Sequence, residues 1–452
     1  MSELKENKMG TMPVGRLLIS MSLPMMISML VQALYNIVDS VFVSRICEDA
    51  LTAVSMAFPL QSLCIALGAG MGVGVNALLS RSLGEKNFDL VNKTALNGLF
   101  MTLVSYLVLL VVGITAVKPF YMLQTDSQTI IDFGTDYLTV VCCCSFGMFF
   151  QFTFERLLQS TGKTFLSMIT QTTGAVINII LDPIFIFGLF GVKAYGVKGA
   201  AIATVIGQIV AATLAMIINI KKNTEINFSL KGFRPSGEII WQIYKIGIPS
   251  IIMQSIGSVM VFCLNKILII FSSTAVAVFG VYFKLQSFVF MPVFGLNNGI
   301  IPVLAYNFGA KKKKRMLDTV KCGLTVAFSI MVVGMIVFEL IPDKLLMLFD
   351  ASENMQSMGI IALRTIAVHF PIAAICIALG STFQALGYAV YSMIISIARQ
   401  IVVLIPAAYL LAQLGSVNFV WWCFPIAECM SLFMTLIFFT KIKKEVIYNI
   451  PD

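Results

Sequence analysis

The sequence predicts an all-α polytopic membrane protein, with twelve transmembrane helices in two pseudo-symmetric six-helix bundles related by a parallel repeat. Three observations carry that prediction. First, the 452 residues are 58% hydrophobic and only 12% charged, with a mean hydropathy of +0.93; a soluble chain carries roughly twice that charge fraction. Second, apolar runs long enough to cross a bilayer, about 20 residues each, recur along the whole chain between short polar joints. Third, the two halves repeat one another in register. A cytosolic enzyme of one or two packed domains is excluded.

The runs fall near 17–43, 51–79, 94–117, 130–154, 165–190 and 196–220, then near 240–271, 275–304, 319–341, 357–383, 391–413 and 417–440. Residues 1–16 are polar, and the first run is too long for a signal-peptide core, so it reads as a span and not a cleavable leader. The polar joint at 221–245 divides the chain into an N-terminal bundle, 1–225, and a C-terminal bundle, 226–452. With the N-terminus in the cytoplasm, the inner segments hold Lys5, Lys8, Arg16, Arg81, Lys86, Lys93, Arg156, Lys163, Lys221 and most later basic residues. The outer segments hold only Arg45, Lys118, Lys193, Lys198 and Lys344. That asymmetry predicts a multi-pass protein of the cell inner (cytoplasmic) membrane with both termini inside.

The same bias accounts for the net charge of +9, so nucleic acid is not an expected partner. The run Lys311–Arg315 reads as a topology signal beside anionic lipid. The ten cysteines lack metal spacing: Cys142, Cys143 and Cys144 point to different sides of one helix and cannot converge on one ion. No metal site is expected apart from Na⁺ at the acids described below.

The repeat has an offset of 225 residues. It pairs Pro24 with Pro249, Gln61 with Gln286, Gly70 with Gly295, Gly74 with Gly299, Gly84 with Gly309, Lys86 with Lys311, Gln159 with Gln384 and Gly162 with Gly387. Apolar pairs would coincide by chance; a register of glycines and glutamines would not. Six spans per unit is an even number, so both units enter from one side, as in parallel-repeat transporters. Two equivalent bundles around a cleft suit a rocking motion, and prolines inside the helices free backbone groups and allow bending.

Function is sought where the symmetry breaks, because an ionisable residue in hydrocarbon is costly unless it works. Asp39 and Asp182 correspond to Leu264 and Ala407, so both acids belong to the first bundle alone. Tyr35 and Asp39 lie one turn apart on one helix face, and Asn178 and Asp182 repeat that spacing. Two such helices can form an oxygen-rich pocket that holds either a shared proton, since neighbouring carboxylates in low dielectric resist joint ionisation, or Na⁺. A hydrated Asp39 near the outer end of its helix is the plain alternative. The second bundle carries Lys266, Lys284, Arg364, His369, Arg399, Glu339 and Glu428. Lys284 is expected to pair with Glu428 or to line the cavity, and His369 reads as a satisfied helix histidine.

With twelve spans, a six-plus-six repeat, Leu23-Pro24 and these aspartate motifs, the chain resembles the multidrug and toxic compound extrusion (MATE) family. The segments carrying the likeness are Gln32 to Asp39, Asn178 to Pro183, Gly196 to Thr204 and Tyr306 to Ala310. The likeness is closest to the DinF-type bacterial branch. It implies a secondary antiporter, not an enzyme and without catalytic residues, that exports organic cationic, amphipathic compounds in exchange for Na⁺ or H⁺ by alternating access. It further implies that Asp39 and Asp182 bind the coupling ion, that Tyr35, Asn178 and Thr204 complete the shell, and that the first helix bends at Pro24. No cofactor beyond the ion is implied, and the expected partners are small organic cations and membrane lipid, with the chain a monomer. Phe154-Glu155-Arg156 departs from the family, which has Asn near this point; Glu155 is expected to pair with Arg156 or to be solvated. A lipid-linked oligosaccharide flippase of the same superfamily is the alternative reading. An intramembrane aspartyl protease using the two aspartates is a weaker one, because the glycines that flank such acids are missing.

Overall fold

The structure is a computed structural model describing residues 6–229, 231–349 and 352–450; Lys5, counted above among the inner charges, lies outside them. Ten helices are long and apolar enough to span a membrane, and two bent pairs raise the count to twelve. The spans of the first repeat are α1 (Val14–Ser44), α2 (Glu48–Gly84), α3 (Phe88–Thr115), the pair α4 (Gln128–Cys143) and α5 (Phe146–Ser160), α6 (Thr164–Phe187) and α7 (Val197–Lys222). The second repeat supplies α8 (Gly237–Leu268), α9 (Ser273–Gly309), α10 (Lys313–Leu340) and the pair α11 (Glu353–Ala367) and α12 (Phe370–Ala385). It ends with α13 (Ala389–Ile397), which continues through a π-helical stretch, Ala398–Leu404, and with α14 (Cys423–Ile442).

The predicted apolar runs are helical over most of their length, and the runs did not reveal two sharp bends. α4 and α5 meet at 43°, and α11 and α12 meet at 46°. Cys144 and His369, at equivalent register positions, occupy the two breaks. The second break coincides with Pro371 in the first turn of α12, where a missing N–H costs no helical bond.

The chain forms two compact units. One is residues 27–251; the other is Ile252 onward together with the segment that ends at Met26. The sequence repeat divides at 225/226, in the polar joint, whereas the compact units divide inside α1 and α8, just after Pro24 and Pro249. The glycine register supplies the reason. Within the first of these units, a Cβ on Gly70 would lie 2.8 Å from the Ile251 nitrogen and one on Gly74 2.4 Å from the Ile243 carbonyl oxygen. Within the other, Gly295 and Gly299 do the same for the leading half of α1, at 2.6 Å from the Met26 nitrogen and 2.7 Å from Ser22 Cα. Small residues four apart let two helix backbones meet closely, so each glycine pair receives the leading half of the other repeat's first helix.

The repeat persists into the turns. Lys86 and Lys311 both hold left-handed backbone (φ 59° and 55°), as do Gly162 and Gly387 (φ 86° and 85°). Such a conformation costs a lysine roughly 1–2 kcal/mol. The flanking bonds Asn87 N to Ser82 O (3.0 Å) and Lys312 N to Asn307 O (2.9 Å) secure the two lysine turns alike. The basic run is more than an address label. Arg315 donates to Asn307 Oδ1 (3.1 Å) and to the carbonyls of Met9 (3.0 Å) and Met12 (2.7 Å), and Lys312 pairs with Glu6. These contacts clasp the short helix Lys8–Thr11 to the end of α9.

Candidate ion-coupling site

All five residues expected to bind the ion lie within the unit of residues 27–251. Tyr35 and Asp39 come from α1, Asn178 and Asp182 from α6, and Thr204 from α7. Asp182 is fully buried and Asn178 is 3% exposed. An amide's oxygen and nitrogen are told apart by their partners. With each end of Asn178 facing a complementary group, its nitrogen donates to Asp182 Oδ2 (3.2 Å). Its oxygen then accepts from both the hydroxyl and the backbone nitrogen of Thr204 (3.1 Å each). Thr204 thus fixes the amide, and the amide fixes the carboxylate.

Asp39 is half-buried, and its Oδ1 atom is enclosed with no hydrogen-bond donor among the described residues. Its charge acts on Asp182, on Tyr35 and on Tyr137. Gln32 hydrogen-bonds Tyr35.

Two members escaped the sequence reading. Tyr137 of α4 is 3% exposed, and its hydroxyl accepts from Gln61 Nε2 of α2 at 2.9 Å. Gln61 stood out only as a repeat partner of Gln286, although a glutamine inside an apolar span was itself a signal. Tyr137, one of 12 tyrosines, had no acid a turn away to mark it.

Glu155 is 3% exposed, which corrects the expectation that it is solvated. Gln151 Nε2 (2.9 Å) and Thr170 Oγ1 (3.3 Å) donate to it, while neighbouring Arg156, whose charge acts on Glu155, turns its guanidinium to Gln159 Oε1 (2.8 Å). In the other unit the expected Lys284–Glu428 pair is not formed. Lys284 is exposed, and Glu428 is bound by Arg399 Nη1, 3.2 Å from its Oε2. Arg399 turns its guanidinium toward this buried carboxylate of the next helix.

Duplicated six-span repeats, the first carrying a half-buried and a fully buried carboxylate, fit a polytopic membrane transporter. A family model, MatE, matches residues 24–184 and again 249–410, which recovers the 225-residue repeat. The chain belongs to the MATE family. It is similar to the multidrug export protein MepA of Staphylococcus haemolyticus, at 28% identity over 92% of this chain and 91% of that one. Among solved structures it is similar to a MOP superfamily transporter from Pyrococcus furiosus, with 25% identity, a TM-score of 0.92 and 98% of each chain covered. A multidrug resistance MATE family transporter in an outward-facing conformation gives 25% identity and a TM-score of 0.91, over 97% of this chain and 99% of that one.

Proposed function

We propose that this chain is a secondary antiporter that exports organic cationic, amphipathic compounds from the cell in exchange for Na⁺ or H⁺ bound at Asp39 and Asp182. Two observations support the coupling site: Asp39 Oδ1 is enclosed without a donor among the described residues, and Asp182, on which the charge of Asp39 acts, is fully buried. An acceptor oxygen in a low-dielectric pocket calls for a positive partner. A proton on either carboxyl, or a sodium ion among the carboxylate, phenol, hydroxyl and amide oxygens, supplies it. Tyr35, Asn178 and Thr204 complete the shell, joined by Tyr137. Export of varied compounds is supported by the multidrug export relatives.

Pro24 lies inside α1, two residues before the boundary at which α1 passes from one compact unit to the other, and a proline within a helix brings no backbone N–H and allows a bend. It is the hinge at which α1 bends as the ion loads. The protein acts as a monomer in the cytoplasmic membrane, with both termini on the cytoplasmic side.

Proteoliposomes carrying a cationic dye, with Na⁺ and pH gradients imposed separately, test the reading. Dye movement is expected to follow one of the gradients and to stop in Asp39→Asn and in Asp182→Asn. Undiminished gradient-driven movement in both variants would refute the assignment of the coupling site, and no movement under either gradient would refute the antiporter.

A further inference from the structure

We propose that the unit formed by Ile252 onward contains a second, separate proton-binding site, in which His369 takes the proton and competes with Arg399 for the single carboxylate of Glu428.

His369 sits at the break between α11 and α12 and is 5% exposed. Its Nδ1 lies against the Ile366 carbonyl. A carbonyl only accepts, so Nδ1 carries the hydrogen of the neutral ring and Nε2 is the atom that gains a proton. The ring is packed by Phe424 (5.9 Å, stacked), Phe370 (5.2 Å, edge-on) and Phe290 (6.2 Å). Phe424 and Glu428 are one turn apart on α14, which sets the carboxylate beside the face that holds the imidazole. Glu428 is 3% exposed and receives Arg399 Nη1 at 3.2 and 3.5 Å. Arg399 projects from the π-helical stretch, a widening of the helix that recurs at working positions.

The charged and titratable groups around the ring come from every neighbouring helix. The charges of Glu428 of α14 and Arg399 of the π-helical stretch act on His369 through the field. Tyr282 of α9 and Cys376 of α12 lie in the same field, and the Tyr282 hydroxyl donates to Gln286 Oε1 at 2.6 Å. From α10, Phe338 packs on Phe370, while Glu339 is engaged by Arg364 of α11. With the ring neutral, the cluster balances one anion with one cation. A proton on Nε2 adds a second cation, and one carboxylate cannot be fully shared by two. The arrangement is a two-state element at a helix joint, of the kind histidine protonation switches.

Register places this cluster where the first unit keeps its own. Gln286 is the counterpart of Gln61, His369 lies at the break equivalent to that between α4 and α5, and Arg399 and Glu428 stand on the counterparts of α6 and α7. The duplicated fold therefore holds a polar interior in each unit, filled by different chemistry. The proposal does not depend on the antiport reading, because its test is read on the ring itself.

His369 is the only histidine in the sequence. Protein made without a histidine tag, labelled with ¹⁵N-histidine and placed in lipid nanodiscs gives a single imidazole spectrum. Between about pH 5 and 8 the ring is expected to pass from the Nδ1-protonated neutral form to the imidazolium. Glu428→Gln is expected to weaken proton binding about tenfold, a shift of one pH unit, and Arg399→Gln to strengthen it. A wild-type ring that keeps one protonation state throughout that range overturns the proposal, as do folded variants that shift the midpoint the same way or leave it in place. Should a variant not fold, the wild-type titration decides alone.

Discussion

Asn178 ties α6 to α7 through one amide, and its removal isolates a fully buried carboxylate. Asn178→Leu leaves Asp182 without its donor and strands the Thr204 hydroxyl. A loss of about 1–3 kcal/mol follows, seen as a lower thermal midpoint in detergent, together with loss of gradient-driven dye transport. Tyr137→Phe removes only the bond to Gln61 and should cost about 0.5–1.5 kcal/mol. The second unit offers a paired comparison by the same thermal measurement. Lys284→Ala, at an exposed position, is expected to stay within about 0.5 kcal/mol of wild type. Arg399→Ala strands Glu428 and should cost on the order of 2–3 kcal/mol, short of the full buried-pair penalty because the arginine is 27% exposed. Equal effects of the two substitutions would return Lys284 to the role the sequence suggested for it. The i, i+4 spacing made Asp39, Tyr35, Asn178 and Asp182 legible in the chain itself, because a helix face is a local property. The Tyr137–Gln61 bond and the Arg399–Glu428 pair were not legible, since each joins two separate helices, 76 and 29 residues apart, and no helical spacing links them.

Among the elements, the glycines of α2 and α9 explain themselves only in the fold. In the sequence they marked a repeat; in the structure they are the grooves that receive the leading halves of α8 and α1. Gly74→Ala and Gly299→Ala would each set a methyl inside a neighbouring backbone contact, at 2.4 Å from the Ile243 oxygen and 2.3 Å from Ser22 Oγ respectively. Overpacking of this kind costs about 1–3 kcal/mol. Both variants are therefore expected to melt earlier in detergent, whereas Gly280→Ala, which meets nothing within 4 Å, should not. The breaks between α4 and α5 and between α11 and α12 escaped the apolar pattern for a similar reason. Both halves of each span stay apolar, and nothing in hydropathy registers a bend of 43° or 46°.

For the whole molecule, the proposed topology, with both termini on the cytoplasmic side, predicts that the loop at residues 45–47 lies outside the cell. Cys47 is an exposed cysteine in that loop. A membrane-impermeant maleimide added to intact cells is expected to label it, and Cys47→Ser should remove that signal. Labelling that requires broken cells would invert the topology. Cys429 is also exposed but lies within α14, facing hydrocarbon in this reading, and should resist the reagent.

The sequence by itself determined the class, the number of spans, the duplication at 225 residues and the two helix faces that carry the acids. All of these follow from periodicity and composition along the chain. Only the tertiary structure decided that the compact units divide inside α1 and α8, that Gln61 binds the Tyr137 hydroxyl, and that Glu428 takes Arg399 in place of Lys284. The reason is physical: hydrophobicity and helical spacing act between near neighbours in the chain. Glycine grooves and buried charge pairs are settled by which distant helices come within a few ångströms of each other.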